Sequence, residues 1–351
     1  MKTRYSERPP LEAPGRLSTA RSTGTDRAGA IRLLYRLQAL VALLGIIVLA
    51  IILSPRAADG SNIFLEAGNL TDILRQVSVT GIIAVAMTFV ILTAGIDLSV
   101  GSTLALGTSV VAIGLTRWSV PLGDVGRISL AIIAALAAGA AVGALNGAVV
   151  AGASIQPFVV TLATMIGVRG LAKWLTDNAN IDIGFGQDVA AVFAAFISRK
   201  VVVIGSLLVM AAVFWLVLDV TVFGRYVRAV GDNERVARYT GLPIARVKIW
   251  VYTLSGLLSG LAGVIYAAEN HQGNPNAGVA YELDAIAAVV IGGTSLMGGK
   301  GSVSGTVVGT LILGILTNVL RLNNVDSNVE MMVKAVIILL AVAVMSRRKS
   351  E

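Results

Sequence analysis

The chain is built from apolar runs, each about long enough to cross a bilayer, with short charged turns between them. Of its 351 residues, 56% are hydrophobic and 14% are charged, which leaves too little polar surface for a soluble fold of this size. A helix needs about 20 apolar residues to span the hydrocarbon core. Backbone amides in lipid must be paired within the protein, so such runs become helices. The sequence therefore predicts an all-α polytopic membrane protein.

The spacing of these runs predicts about ten transmembrane helices with glycine-rich broken or re-entrant segments. Lys and Arg concentrate in the N-terminal tail, in residues 220–248 and at the C-terminal end. Basic residues mark the cytoplasmic side, so we expect both termini in the cytoplasm, which requires an even number of spans. The predicted spans are 33–53, 71–93, 98–116, 128–152, 158–175, 200–219, 247–268, 284–298, 303–320 and 329–346.

The first residues differ in composition from the rest of the chain. Residues 1–30 are polar and rich in Arg, Ser, Thr and Pro, which predicts a disordered cytoplasmic tail. The alternative is a cleaved signal peptide, but Leu33–Leu53 is long for its apolar region. We therefore expect two parts, the tail at 1–30 and a transmembrane domain at 31–351.

Several classes of chemistry are disfavoured by composition. The chain has no cysteine, which excludes disulfides, Cys-ligated zinc and thiol catalysis. His271 is the single histidine, so a His-based metal site or triad is not expected. The net charge of +8 comes from basic residues at the ends of spans. Lys and Arg at such positions set the orientation of the chain in the membrane, which is favoured here over a role in nucleic-acid binding. We predict no catalytic residue, no metal and no cofactor in this chain.

The first polar break in the apolar pattern is Thr93–Ser102. Its carboxylate, Asp97, must reach water, a cation or hydrogen-bond donors, because an unpaired charge at this depth is costly. Ser99 and Ser102 are predicted to cap the following helix, with Asp97 near its N-terminus. The alternative is that Asp97 contacts a solute directly.

The longest polar stretch on the predicted inner side contains a short helix with its own start and stop signals. Asp232 or Asn233 can cap a helix over 234–240, Gly241 can end it, and Pro243 prevents its continuation. Such a short, charged helix can dock a cytoplasmic partner. The alternative is a solvated loop that only fixes topology.

A third break, Gly292–Gly305, is rich in glycine but is not a phosphate-binding loop. That loop requires the pattern G-x-x-x-x-G-K-[ST]. Here the first required glycine is replaced by Thr294, and Lys300 is followed by Gly301. We expect a broken helix or tight turn instead. Its likeness to the first break is compatible with an internal repeat or with two unrelated turns.

Polar side chains also occur inside the apolar runs. Asn146, Thr161 and Thr164 have apolar neighbours, where such groups either join helices or line a polar path. The run Ala131–Gly152 is almost entirely small or aliphatic, which predicts a tightly packed inner helix.

Together these segments resemble the permease subunit of ATP-binding-cassette importers for monosaccharides, the ribose/xylose/galactose group. The resemblance extends from about residue 65 to the C-terminus. Two departures concern Gly152–Ala153, where a tethering Lys is common, and Tyr239–Thr240, where Leu-Ser is usual. The segments that carry the resemblance are Gly95–Ser102, Asn146–Gly147, Pro157–Met165, Gly231–Glu234 with Ala237, Arg238 and Gly241, and Tyr281–Leu296 with Gly299–Gly301.

The resemblance implies a fold of about ten helices in a bacterial inner membrane. It implies a second permease copy or paralogue, a cytoplasmic ATPase that binds ATP and Mg²⁺, and a periplasmic sugar-binding protein. It also implies that the short polar helix couples to the ATPase. The predicted coupling residues are Gly231, Asp232, Asn233, Glu234, Arg238 and Gly241.

A neutral sugar needs only a path of hydroxyl, amide and backbone groups. The residues predicted to line it are Asp97, Ser99, Asn146, Thr161, Thr164, Thr294 and Ser295. Two alternatives stay open at this point. The first is an importer of the same class for a nucleoside, a branched-chain amino acid or a signalling furanose. The second is an ion-coupled secondary transporter.

Overall fold

The computed structural model of the chain describes residues 24–153, 155–186 and 188–347. Contacts divide the chain into residues 1–37 and residues 38–351. Most of the predicted tail at 1–30 lies outside the described residues, and helix α1 begins at Gly24. The disorder of the tail therefore stays a prediction.

The described residues are mainly helical, which confirms the predicted all-α class. Two strands of two residues each, β1 (Ile181–Asp182) and β2 (Gln272–Gly273), pair in antiparallel fashion. The helices are α1 Gly24–Leu53, α2 Ala67–Leu92, α3 Val100–Thr116, α4 Gly123–Gly152, α5 Pro157–Leu175, α6 Val189–Ile197, α7 Lys200–Val220, α8 Val222–Asp232, α9 Glu234–Tyr239, α10 Ile244–Asn270, α11 Tyr281–Ile291, α12 Val303–Leu322 and α13 Ser327–Arg347.

Each predicted span overlaps one of these helices. Within the described residues, six helices are long and apolar enough to cross a membrane, namely α2, α4, α5, α7, α10 and α12. The span predicted at 284–298 is wrong in extent, because α11 ends at Ile291 and a glycine-rich loop follows. Its 11 residues reach only about 16 Å, so the loop must complete any crossing. The chain is a multi-pass membrane protein.

The spanning helices differ in how much of their surface the bundle covers. In the most apolar 18-residue stretch of α2, 78% of the residues are buried, whereas only 22% are buried in the corresponding stretches of α4, α5 and α7. Side chains on the open face of α7 are apolar, as contact with lipid requires; they include Val201, Leu208, Val213 and Leu216. Helices α2, α10 and α12 thus form the interior, and α4, α5 and α7 the periphery.

Helix α4 packs tightly on α10 along a stripe of glycines. Gly139 faces the backbone of Gly256, and Gly143 faces the backbone of Tyr252. A methyl group at either glycine would collide with backbone atoms of α10, so the two helices approach more closely than larger residues allow. The predicted tight packing of 131–152 is confirmed. The predicted inner position is wrong, because only one face of α4 is buried and its other faces lie at the periphery of the bundle.

The bundle has two distinct ends. Helix α10 begins next to α9 and ends next to β2, about 40 Å away along its axis. We call these the α9 end and the sheet end. Helix α6 and strands β1 and β2 were not predicted from the sequence, because elements of two to nine residues leave little periodic signal.

Candidate functional site

Helix α9 is capped at both ends, as the sequence predicts. The side chain of Asn233 accepts a hydrogen bond from the Val236 amide at 3.1 Å, so Asn233 is the cap and Asp232 ends the preceding helix. Gly241 has φ +79° and its amide bonds to the Arg238 carbonyl at 3.1 Å. That left-handed conformation favours glycine and stops the helix.

Glu234 ties α9 to the bundle. Its carboxylate lies 2.9 Å from Lys248 Nζ on α10 and 3.2 Å from Arg238 Nη2, one turn along α9. These charges border a cleft of about 240 Å³ at the α9 end, which Leu242 also lines. Arg238 is 73% exposed and Tyr239 is 90% exposed, so α9 offers a surface outside the bundle.

Gly231, near the end of α8, forms a junction with two other elements. A side chain at this position would collide with the Leu92 carbonyl oxygen, at the end of α2, and would come within 2.7 Å of the Gly299 amide nitrogen. The Gly299 amide itself donates to the Leu92 carbonyl at 3.0 Å. The end of α8, the end of α2 and the loop after α11 therefore meet at one point, backbone against backbone.

Asp97 is buried and satisfied by three hydrogen bonds. Its Oδ1 accepts from the Ser99 amide at 2.9 Å and from the Ser99 hydroxyl at 2.6 Å. Its Oδ2 accepts from the Ser255 hydroxyl on α10 at 2.8 Å. Side-chain capping by Ser99 is thus a wrong prediction: Ser99 occupies the cap position of α3, but its hydroxyl donates to Asp97 and makes no cap bond.

The network continues from Ser99 across two more helices. Asn146 on α4 donates to the Ser99 hydroxyl at 2.9 Å and accepts from Thr164 on α5 at 2.6 Å. Thr161 donates to the Ile96 carbonyl at 3.1 Å. Asp97, Ser99, Asn146 and Thr161 are all buried, so in this conformation the network joins helices and does not line an open path.

The two other predicted path residues lie elsewhere. Thr294 and Ser295 belong to the glycine-rich loop after α11, where the Ser295 amide bonds to the Lys300 carbonyl at 2.8 Å. Thr294 is buried against Gly301, and its hydroxyl has no hydrogen-bond partner among the described residues. The structure therefore divides the seven predicted path residues between two places.

Sequence reasoning missed two residues that complete these sites. Ser255 anchors Asp97, and Lys248 anchors Glu234, both from α10. A signal for Ser255 exists in the pattern Ser255–Gly256, a small polar pair in the middle of an apolar run. That Ser255 bonds to Asp97 could not be predicted, because 158 positions separate the two residues.

Comparison with known proteins agrees with this architecture. Residues 69–342 match the family described as branched-chain amino acid transport system / permease component. The chain is 45% identical over 316 residues to the ribose import permease protein of Escherichia coli (strain K12), covering 89% of this chain and 94% of that protein. It is 43% identical over 316 residues to the ribose import permease protein of Bacillus subtilis (strain 168), covering 90% of this chain and 94% of that protein.

A third relative is the D-allose transport system permease protein of Escherichia coli (strain K12), 37% identical over 297 residues, which cover 84% of this chain and 89% of that protein. No solved structure matches the chain. These relatives confirm the resemblance to monosaccharide permeases that the sequence segments carry. The chain therefore belongs to the family of permease components of ATP-binding-cassette importers, in its monosaccharide group.

Proposed function

We propose that this chain is the transmembrane permease of a binding-protein-dependent importer that carries a monosaccharide across the bacterial inner membrane. The observation that carries the proposal is the 45% identity to a ribose import permease over 89% of the chain. The energy comes from ATP, bound with Mg²⁺ and hydrolysed by a separate cytoplasmic subunit. A periplasmic binding protein delivers the sugar at the opposite face.

Helix α9 is the element that receives the force from the ATPase, and the α9 end faces the cytoplasm in this proposal. Two contacts support this role. The ion pair of Glu234 with Lys248 links α9 to α10. The junction at Gly231 links α8 to α2 and to the loop after α11. A displacement of α9 would therefore reach three interior elements, which fits a switch between two packed arrangements.

The test is uptake of labelled D-ribose by proteoliposomes that contain this chain, its ATPase and its binding protein. We expect uptake that requires ATP inside the vesicle and stops when the ATPase cannot hydrolyse it. Uptake that persists without the ATPase and collapses with a proton uncoupler would identify a secondary transporter instead.

The family description names a second solute class, the branched-chain amino acids. The same vesicles test whether the chain imports this class, with labelled L-leucine and a binding protein of each type. Import of leucine in place of every sugar offered would assign the chain to amino acids and remove the sugar proposal.

A further inference from the structure

A polar cavity of about 140 Å³ lies between α2, α11, α12 and α13 at the sheet end. It is separate from the Asp97 network and from the cleft beside α9. Pockets for drug-sized ligands measure about 300–1,000 Å³, so this one suits a small solute. Its lining combines amide, hydroxyl, phenol and carboxylate groups, from Gln76, Thr80, Tyr281, Asp284, Thr310 and Thr317.

The cavity reaches deep into the bundle. It is lined by Arg321, in the last turn of α12, and by Thr310, eleven residues earlier, about 17 Å along the helix. Polar groups at this depth are costly against lipid and occur where they meet water, a partner or a solute. A lining of this kind along α12 therefore indicates a route from the sheet end toward the middle of the protein.

The two bases that line the cavity, Arg321 and Lys334, are each paired with an acid. Glu330 lies 2.9 Å from Lys334 Nζ and 3.3 Å from Arg321 Nε, and it accepts from the Thr317 hydroxyl at 3.0 Å. Lys334 is also 4.0 Å from Asp284. Two acids thus face two bases. An ion or a zwitterion would have to separate these pairs, whereas a neutral solute can hydrogen-bond to them as they stand.

We propose that this cavity binds the sugar during import, with hydrogen bonds to its hydroxyl groups. Tyr281 supplies an aromatic surface for the C–H groups of the sugar, held by an edge-to-face contact with Tyr266 at 6.3 Å between ring centroids. The inference rests on the proposed function and goes beyond it, because it assigns the solute to α2, α11, α12 and α13 and not to the Asp97 network.

The absence of cysteine from the sequence makes a direct test possible. Thr80→Cys places one thiol in the cavity lining, and Ser78→Cys places one two residues away on α2, at a position that is fully buried. Both variants are assembled with the ATPase and binding protein in proteoliposomes. They are treated with a charged, water-soluble methanethiosulfonate, and the mass of the permease chain reports the modification.

We expect Thr80→Cys to be modified about tenfold or more faster than Ser78→Cys, since thiol reactivity follows exposure. D-Ribose, added with binding protein and ATP, should slow the modification of Thr80→Cys, and L-leucine should not. Equal rates for the two variants, no effect of ribose, or protection by leucine would each overturn the proposal. Wild-type vesicles assayed alongside distinguish the cavity proposal from the proposed function. If the wild type imports ribose, only the cavity proposal fails; if it imports none, the proposed function fails too.

A second pair of variants removes one hydroxyl without adding a thiol. Thr310 and Thr253 each donate to the carbonyl four residues back in the same helix, at 2.9 Å and 2.7 Å, but only Thr310 belongs to the cavity lining. Thr310→Val should lower the rate of ribose uptake about 3- to 10-fold, the effect of one lost hydrogen bond. Thr253→Val should retain uptake. Equal uptake by both variants would count against the cavity as the sugar site.

Discussion

A hydrogen bond from Ser255 anchors Asp97 to the interior helix α10. Replacing Ser255 with Ala leaves one carboxylate oxygen without its donor in a buried place, where the loss costs about 1–3 kcal/mol. We expect Ser255→Ala to lower the midpoint of thermal unfolding in detergent.

The matched control is Ser259→Ala, one turn further along α10. Ser259 is equally buried, but its hydroxyl donates to the Ser255 carbonyl, which is already part of the helix ladder. A similar decrease in the unfolding midpoint of both variants would mean that the hydrogen bond to Asp97 stabilises the fold no more than the bond of Ser259 does.

Gly231 is the residue at which α8, part of the proposed coupling segment, meets α2. Gly231→Ala would drive a methyl group into the Leu92 carbonyl, and because the obstacle is backbone, the end of α8 must move. Overpacking of this kind costs about 1–3 kcal/mol. We expect lower thermal stability, together with ATP hydrolysis that no longer supports uptake.

Gly205→Ala on α7 is the control for Gly231→Ala, because a methyl group there meets nothing within 4 Å. Alanine is the better helix former by about 1 kcal/mol, so this variant should be as stable as the wild type or more so. Wild-type uptake by Gly231→Ala would show that the junction transmits no force.

At the scale of elements, helix α9 depends on Glu234 for its position. The carboxylate is 41% exposed, so its ion pairs add little stability, about 0.2–1 kcal/mol. Glu234→Gln should therefore leave membrane insertion and unfolding nearly unchanged. We expect it to abolish the coupling of ATP hydrolysis to sugar uptake, because α9 loses its charged link to α10.

The exchanged pair Glu234→Lys with Lys248→Glu tests this reading of the ion pair. It keeps a link of opposite charges between α9 and α10, and we expect it to restore part of the coupling. Full uptake by Glu234→Gln alone, measured with ATP hydrolysis in the same vesicles, would contradict the role given to α9.

The positions of elements were far more predictable than their contacts. Lipid forces each long apolar run into a helix, so each predicted span overlaps a helix, and the cap and stop of α9 followed from Asn233 and Gly241. The end of α11 was misplaced because the apolar residues Leu296 and Met297 follow shortly after it, whereas the glycines of this loop adopt positive φ at Gly293, Gly298 and Gly299.

The candidate sites were predictable only as separate pieces. Asn146 and Thr164 were correctly singled out as polar residues among apolar neighbours, but a periodic pattern cannot tell that their side chains meet each other and Ser99. The cavity at the sheet end was missed for the same reason. Its lining comes from four helices, and each contributes only one to three polar residues, which look like ordinary ends of spans.

At the scale of the whole molecule, the same interior elements serve both ends. Helix α2 meets Gly231 through Leu92 at the α9 end, and it lines the polar cavity with Thr80 at the sheet end. Helices α11 and α12 also line the cavity, and the loop that joins them contacts Gly231 through Gly299. By contrast, α4 and α10 are held together by close backbone contact along their glycine stripe, which favours movement as one body.

This division predicts where the structure responds when the ATPase is trapped in its ATP-bound state. Hydrogen exchange of the assembled transporter, read by mass spectrometry, should change in residues 92–99, in residues 292–302 and in the cavity-lining parts of α2 and α12. Exchange along the α4–α10 contact should stay the same, because local opening there would separate packed backbones. If the α4–α10 contact changes most and the two loops do not respond, then force does not pass through Gly231, and the route from the ATPase to the sugar lies on the other side of the bundle.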